Sequence, residues 1–110
     1  MVPQAQYLGR ENVCAVKEVP LGRALCKRLQ DGTRIALTRQ ENGQIAAFEN
    51  RCPHVDGPIG LGKIKGKTVI CPWHFFRFDI ETGAAAGLES VMRLRVFKAV
   101  VEGGRVFVDA

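Results

Sequence analysis

The sequence predicts an all-β protein, and three observations support this fold class. Turn-forming residues recur along the 110-residue chain, which contains 12 glycines and 5 prolines. The segments between these turns are short and rich in β-branched residues, as in strands joined by turns. No segment has a sustained helical period, so we expect antiparallel sheets.

Eight such segments are predicted to be strands, and the chain length allows one hydrophobic core, which predicts a single domain over residues 1–110. Two turns predict hairpins: Asn42-Gly43, whose expected positive φ pair suits a type I′ turn, and Glu102 to Gly104 in the same manner. In chain order the predicted strands are Val13 to Val19, Ala24 to Leu29, Arg34 to Thr38, Ile45 to Phe48, Thr68 to Cys71, Phe76 to Ile80, Met92 to Val101 and Arg105 to Val108.

Charge and hydropathy limit the function classes. The net charge of +5 favours an acidic partner. Nucleic acid is a weak candidate, because one Trp and one Tyr leave few stacking residues and no recognition motif is present. No segment has the roughly 18 apolar residues of a membrane span, and the N-terminus lacks a basic start followed by an apolar run. We therefore expect a soluble, cytoplasmic protein without a secretory signal.

Both histidines of the chain lie close behind cysteines in two short motifs. Cys52 and His54 form C-x-H, Cys71 and His74 form C-x-x-H, and 16 residues separate His54 from Cys71. Thiolates and imidazoles at such spacing suit a soft or borderline metal, because each pair converges from one turn. In a reducing compartment the four cysteines of the chain are more readily understood as ligands, core residues or redox groups than as disulfides.

Ordinary core packing and a structural zinc site are the alternatives for these four residues. Zinc fingers usually pair Cys with Cys and His with His. One thiolate and one imidazole on each turn fit instead a two-iron cluster in which one iron takes both thiolates and the other takes both imidazoles. The remaining cysteines, Cys14 and Cys26, lie in predicted strands, and we expect them to pack in the core.

The segment "GLGKIKGKT", Gly60 to Thr68, is only superficially similar to a phosphate-binding loop. The glycine before Gly66 is one residue too close for G-x-x-x-x-G-K-T, and a strand-like "VICPWH" follows where a helix is required. We expect the glycines to turn the chain between the two motifs. Lys63, Lys65 and Lys67 alternate, so an extended chain presents them on one face, as a solvated strand or as a basic rim for an acidic redox partner.

The two motifs and their spacer are similar to the cluster-binding motif of Rieske proteins, and the following "FDIETG" resembles the family's continuation. The resemblance implies a small Rieske domain of antiparallel sheets whose cluster-binding subdomain, about residues 49–83, is formed by two loops. It also implies one [2Fe-2S] cluster, with one iron bound by Cys52 and Cys71 and the other by His54 and His74.

Two positions in the motif depart from the family pattern. Asp56 and Phe75 stand where many relatives have glycine. Asp tolerates positive φ better than most residues do, so Asp56 is a mild change. Phe75 is the larger change, because a bulky residue beside His74 either forces a different loop path or covers the cluster.

Other positions separate this chain from the membrane-complex type of Rieske protein. That type has a disulfide between the ligand loops at positions that here read Gly57 and Trp73. It also has hydroxyl groups that donate to sulfur where this chain has Phe76 and Phe78. Without these donors the reduced form is less stable, so we expect a low reduction potential. The chain resembles the soluble, low-potential Rieske-type ferredoxins.

A ferredoxin of this type is a one-electron carrier. The resemblance implies transfer from a flavin reductase to a terminal oxygenase, by a chain that is a monomer when free. The alternative is the small Rieske subunit of a nitrite reductase. The chain is not expected to be an enzyme by itself, because the cluster uses both histidines and leaves none for the mononuclear iron of an oxygenase. It also has no nicotinamide or flavin motif.

Overall fold

The computed structural model describes residues 10–53, 56–73, 75–86 and 92–109. The N-terminus, for which no secretory signal is expected, lies outside these ranges. None of the helices within them has the length and apolar character needed to cross a membrane. In these ranges two short 3₁₀ helices, Val16–Glu18 and Ile59–Leu61, accompany ten strands. The strands are β1 Arg10–Ala15, β2 Leu25–Arg28, β3 Arg34–Arg39, β4 Ile45–Glu49, β5 Lys63–Lys65, β6 Thr68–Ile70, β7 Arg77–Asp79, β8 Val96–Phe97, β9 Ala99–Glu102 and β10 Arg105–Asp109.

Three antiparallel sheets pack around two cores, which confirms the all-β fold class. In the middle sheet, ordered β2-β3-β4-β8, the two central strands β3 and β4 are buried on both faces. Ile35 and Leu37 of β3 share one core with Val106 of the β1-β10-β9 sheet. Ala36 of β3 shares the other core with Val69 of the β5-β6-β7 sheet. Burial on both faces explains the apolar run Ile35-Ala36-Leu37 at the centre of β3, since neither face needs polar residues there.

Six of the eight predicted strands match an observed strand to within one residue at each end. The first strand begins earlier than predicted, at Arg10, and gives way to a 3₁₀ helix at Val16. The predicted strand Met92 to Val101 is wrong as a single element. Its residues form β8 and β9, which are separated at Lys98 and belong to different sheets. The short strand β5 was not predicted, because three residues between glycines resemble part of a turn.

Both predicted hairpins are present, but only one has the predicted turn. Gly103 and Gly104 have φ values of 57° and 77°, as a type I′ turn requires. In the first hairpin only Gly43 has a positive φ, and Gln40 N–H donates to the Gln44 carbonyl at 2.8 Å. The loop therefore has three residues, and the predicted type I′ turn is wrong because Asn42 does not take a left-handed conformation.

Candidate cluster-binding site

The first cysteine motif forms a tight loop shortly after β4. Cys52 N–H donates to the Gly57 carbonyl at 2.9 Å, and Asp56 N–H donates to the Cys52 carbonyl at 2.7 Å. Asp56 takes a left-handed conformation with a φ of 62°. Cys52 itself is buried, with 1% of its surface exposed. Two backbone hydrogen bonds thus hold this cysteine inside a closed turn.

The second motif forms the same loop between β6 and β7. Cys71 N–H donates to the Phe76 carbonyl, and Phe75 N–H donates to the Cys71 carbonyl, both at 2.8 Å. Phe75 has a φ of 62°, the same value as Asp56. In each loop the cysteine N–H therefore donates to the carbonyl five residues later, and the N–H four residues later donates to the cysteine carbonyl. The two loops share this pattern, although one motif is C-x-H and the other is C-x-x-H.

Phe75 does not force a different loop path, because its backbone follows the path of the first loop. Its side chain is 71% exposed. His74, the residue beside Phe75, lies outside the described residues, and so does His54. The structure thus shows how each loop holds its cysteine, and the assignment of the two histidines as ligands stays a prediction.

The two loops touch through Trp73 of the second and Gly57 of the first. A Cβ at Gly57 would lie 3.0 Å from Trp73 Cε3 and 3.1 Å from Cδ2, so the indole packs directly against the glycine backbone. Trp73 is still 57% exposed. These are the two positions at which the resemblance places a disulfide in the membrane-complex type. Here a contact between an indole and a glycine joins the loops at the same place.

Both cysteines lie in one apolar core cluster, and Cys71 has no exposed surface. Ile59, Val69 and Phe78 belong to the same cluster. Two buried thiols on matched loops are the sulfur donors that one iron of a Rieske cluster requires. The residues present therefore fit the predicted [2Fe-2S] group.

The positions after the second loop supply no hydroxyl group. Phe76 is half-buried against this core, and Phe78 in β7 is buried with 1% exposure. Apolar surroundings and the lack of side-chain hydroxyl donors at these two positions both disfavour additional negative charge on sulfur. This arrangement supports the expected low potential, which stays a prediction.

Asn50 supports the first loop and was not found by the motif analysis. Its side-chain oxygen accepts a hydrogen bond from Gly60 N–H at 2.6 Å, which ties the chain just before Cys52 to the 3₁₀ helix Ile59–Leu61. An asparagine at the end of a strand is common in turns, so its identity alone did not indicate this contact.

Two glycines near the loops are required by close backbone packing. A Cβ at Gly62 would lie 1.9 Å from the Ile70 carbonyl oxygen. A Cβ at Gly83, where φ is 81°, would lie 2.0 Å from the Leu94 carbonyl oxygen. The sequence indicated both as turn residues, and the structure adds that no side chain fits at either position. The strand β6 follows Gly66 and Lys67 directly, which agrees with the rejection of a phosphate-binding loop.

The other two cysteines lie outside this core cluster. Cys14 is buried between the β1-β10-β9 sheet and the middle sheet, as predicted. Burial raises the pKa of its thiol, and the Glu18 carboxylate adds to the effect. The predicted core packing of Cys26 is wrong, because β2 is an edge strand and the residue is exposed. Partial burial still raises the pKa of the Cys26 thiol.

Comparison with known proteins gives one family. Residues 10–98 match the family profile of the Rieske [2Fe-2S] domain. The chain is 37% identical over 98 residues to the ferredoxin component of the p-cumate 2,3-dioxygenase system of Pseudomonas putida, covering 88% of this chain and 82% of that protein. It is 34% identical over 103 residues to the 3-phenylpropionate/cinnamic acid dioxygenase ferredoxin subunit of Escherichia coli K12, covering 93% and 94%. It also matches human apoptosis-inducing factor 3 at 30% identity, but spans only 18% of that longer protein.

Solved structures share the fold. A chain in the complex of reduced oxygenase and oxidized ferredoxin in carbazole 1,9a-dioxygenase matches with a TM-score of 0.82 and 27% identity, covering 92% of this chain and 93% of that one. A small subunit attributed to an NADH-dependent nitrite reductase of Mycobacterium tuberculosis has a TM-score of 0.82 at 24% identity, covering 92% and 94%, which shows the fold alone. With the matched loops and their buried thiols, these likenesses lead to one assignment: the chain belongs to the Rieske [2Fe-2S] domain family, and its cofactor is a [2Fe-2S] cluster.

Proposed function

We propose that this chain is a one-electron carrier that takes electrons from a flavoprotein reductase and passes them to a terminal oxygenase. When bound, the cluster supplies the one-electron redox chemistry. The proposal depends above all on the matched pair of buried cysteine loops, in a chain whose only two histidines follow those cysteines. No histidine remains for a second iron site. The names of the relatives as ferredoxin components of dioxygenase systems support the same role.

In this proposal Cys52 and Cys71 bind one iron, and His54 and His74 bind the other. The closing hydrogen bonds of each loop hold the cysteine backbone in position. The burial of both cysteines keeps water away from the sulfur atoms. Together these features limit rearrangement around the cluster when an electron arrives or leaves.

We further assign residues 1–110 to one Rieske domain that acts as a monomer in the cytoplasm, with a cluster-binding subdomain at about residues 49–83. The two cores share β3 and β4, which supports a single packed unit. The β5-β6-β7 sheet and both cysteine loops fall inside the proposed subdomain. The nitrite reductase alternative has only the likeness of fold in its support.

Spectroscopy and a replacement assay test the carrier role. The purified protein should be red-brown, contain two irons and two acid-labile sulfides per chain, and take up one electron in a reductive titration. It should then replace the ferredoxin component in the p-cumate 2,3-dioxygenase system and restore NADH-dependent product formation. The matched control is Cys71→Ser, which removes a proposed ligand. A colourless protein with one zinc ion would refute the carrier function, and reduction by the reductase without any product would refute the oxygenase as partner.

A further inference from the structure

The β5-β6-β7 sheet has one apolar face and one basic face. Side chains alternate along a strand, so the residues beside the inward-pointing ones face outward. Strand register pairs Ile70 with both Lys63 and Arg77, and Lys65 lies two residues from Lys63 on the same side. These three exposed cations therefore share the outer face, which we call the basic face. The inward-pointing residues, buried with the two loop cysteines, are Ile64, Val69 and Phe78.

Lys67 does not belong to the basic face, so the prediction that three alternating lysines share one face is wrong for this residue. β5 ends at Lys65, and Gly66 with a φ of 58° turns the chain into β6. Lys67 lies in this turn, where its ammonium group is 3.4 Å from the Glu81 carboxylate. Arg77 supplies the third charge instead, because β7 lies beside β6 in the sheet.

The acids near the basic face are already engaged. Glu81, two residues after β7, pairs with Lys67. Asp79 is the one carboxylate on the basic face within the described chain. It accepts hydrogen bonds from two backbone N–H groups of the next turn, at 2.7 and 2.9 Å. The three cations of the basic face form no ion pair with a described residue, so this surface has an excess of positive charge.

The basic face borders the second cysteine loop. Ile70 directly precedes Cys71, and Arg77 is the first residue after the loop closes at Phe76. An open groove of about 620 Å³ crosses the face. A protein seated there is next to a loop that binds the cluster. The groove is lined by Lys65, Thr68, Ile70, residues 77–79 with Arg77 and Asp79, and residues 84–86.

We propose that the basic face docks an acidic surface of the flavoprotein reductase that supplies electrons to this chain. The inference rests on the proposed carrier function and adds the chemistry of the partner's surface. Complementary charge accelerates protein encounter by about 10- to 1,000-fold, and the effect falls as ionic strength rises. A protein is favoured over nucleic acid, because grooves for single strands combine cations with stacking aromatic rings, and the one aromatic residue among the described lining of this groove, Phe78, is buried.

The test compares two variants of the cluster-loaded protein with the same change in charge. The face variant carries Lys63→Gln, Lys65→Gln and Arg77→Gln. The control variant carries Lys17→Gln, Lys27→Gln and Lys98→Gln, at exposed lysines that lie outside this sheet and form no ion pair with a described residue. Each variant loses three positive charges, so any effect of net charge alone is equal in the two.

The first measurement is the rate at which an NADH-dependent flavoprotein reductase of the p-cumate system reduces the cluster at several ionic strengths. The face variant should lose at least about tenfold in second-order rate at low salt, and its rate should depend little on salt. The control variant should keep most of both the rate and the salt dependence. Equal slowing of the two variants, at equal reduction potentials, would overturn the docking assignment.

The second measurement needs no electron transfer and separates this inference from the carrier function. Binding of poly-L-glutamate and of duplex DNA to the oxidised protein is measured at one salt concentration. Poly-L-glutamate should bind the face variant more weakly than the control variant, even if the reductase reduces neither protein. Equal binding by both variants would refute the basic face as a docking site. Tighter binding of duplex DNA than of poly-L-glutamate, lost in the face variant, would also refute the inference and assign the face to nucleic acid.

Discussion

The two cysteine loops have the same backbone and different side chains at the same point of the turn. Each loop closes with the same hydrogen bonds and has one residue at a φ of 62°. In the first loop this residue is Asp56, whose carboxylate pairs with Arg51. In the second it is Phe75, whose side chain is mostly exposed. The hydrogen-bond pattern thus determines the backbone path, and the residue at the turn follows it.

The energetic cost of that path differs between the loops. A left-handed conformation costs about 1–2 kcal/mol for a residue with a Cβ, and Asp is one of the residues that tolerate it best. Phe75 has neither a short polar side chain nor substantial burial to offset the cost. The second loop is therefore the more strained of the two.

The largest expected effect tests whether the loops contribute equally to the cluster. Cys52→Ser and Cys71→Ser should each abolish the visible absorption and EPR signal of the [2Fe-2S] group, because each removes a thiolate that the other loop does not replace. Cys26→Ser, at an exposed cysteine, is the matched control and should keep the spectrum. An intact spectrum in either loop variant would show that the wrong thiols were assigned.

The histidines provide a second comparison of the loops. His54→Cys and His74→Cys should each give a cluster of lower reduction potential or no cluster, since a thiolate adds negative charge at the iron for which we propose a neutral imidazole ligand. Protein-film voltammetry with EPR measures both outcomes. An unchanged potential and spectrum in one variant would remove that histidine from the ligand set.

The third prediction concerns the residues that follow the second loop. The unmodified protein should have a midpoint potential below zero, near the low end of the Rieske range of roughly −150 to +300 mV, because the side chains of Phe76 and Phe78 have no hydroxyl group that could donate to sulfur. Phe78→Tyr should raise the potential if its hydroxyl reaches a cysteine sulfur, and added salt should change it little. A redox titration measures the midpoint potential. A potential well above zero in the wild type would contradict the ferredoxin assignment.

Contact between the loops leads to the fourth prediction. Trp73→Ala should lower the free energy of unfolding by about 2 kcal/mol, because it removes the indole that packs on Gly57. Phe75→Ala, at the more exposed aromatic residue of the same loop, is the control and should cost less. Denaturant unfolding of both variants with the cluster bound measures the difference. Equal losses would show that the contact with Gly57 does not stabilise the loops.

The smallest effect tests the strain directly. Phe75→Gly should raise the free energy of unfolding by about 0.5–1 kcal/mol. This gain is the cost of the left-handed conformation for a residue with a Cβ, minus the cost of ordering the more flexible glycine backbone. Asp56→Gly should not raise the free energy of unfolding, because Asp already tolerates the conformation and the variant loses the ion pair with Arg51. The same denaturant measurement applies. A stabilisation of equal size at both positions would show that the loops do not differ in strain.

Local sequence patterns predicted much of the fold and the chemistry of the site. Glycines and β-branched runs located six strands closely, because strand and turn preferences act over a few residues. They failed at Lys98, where an apolar run passes from one sheet to another. They failed also at Asn42, where the choice between a two-residue and a three-residue loop depends on the register of β3 and β4. Both errors concern which segments pair, and that information is not local.

By itself the sequence determined the chemistry of this protein: two cysteines and two histidines in short motifs, a spacer of 16 residues, and phenylalanines where hydroxyl donors would raise the potential. Tertiary structure alone decided that Trp73 meets Gly57, that Cys26 is exposed, and that Arg77 rather than Lys67 completes the basic face. The physical reason is the distance along the sequence over which each kind of interaction acts. Ligand chemistry and turn preference belong to single residues and their neighbours, whereas contact, burial and surface charge arise only when strands distant in sequence pair in one register.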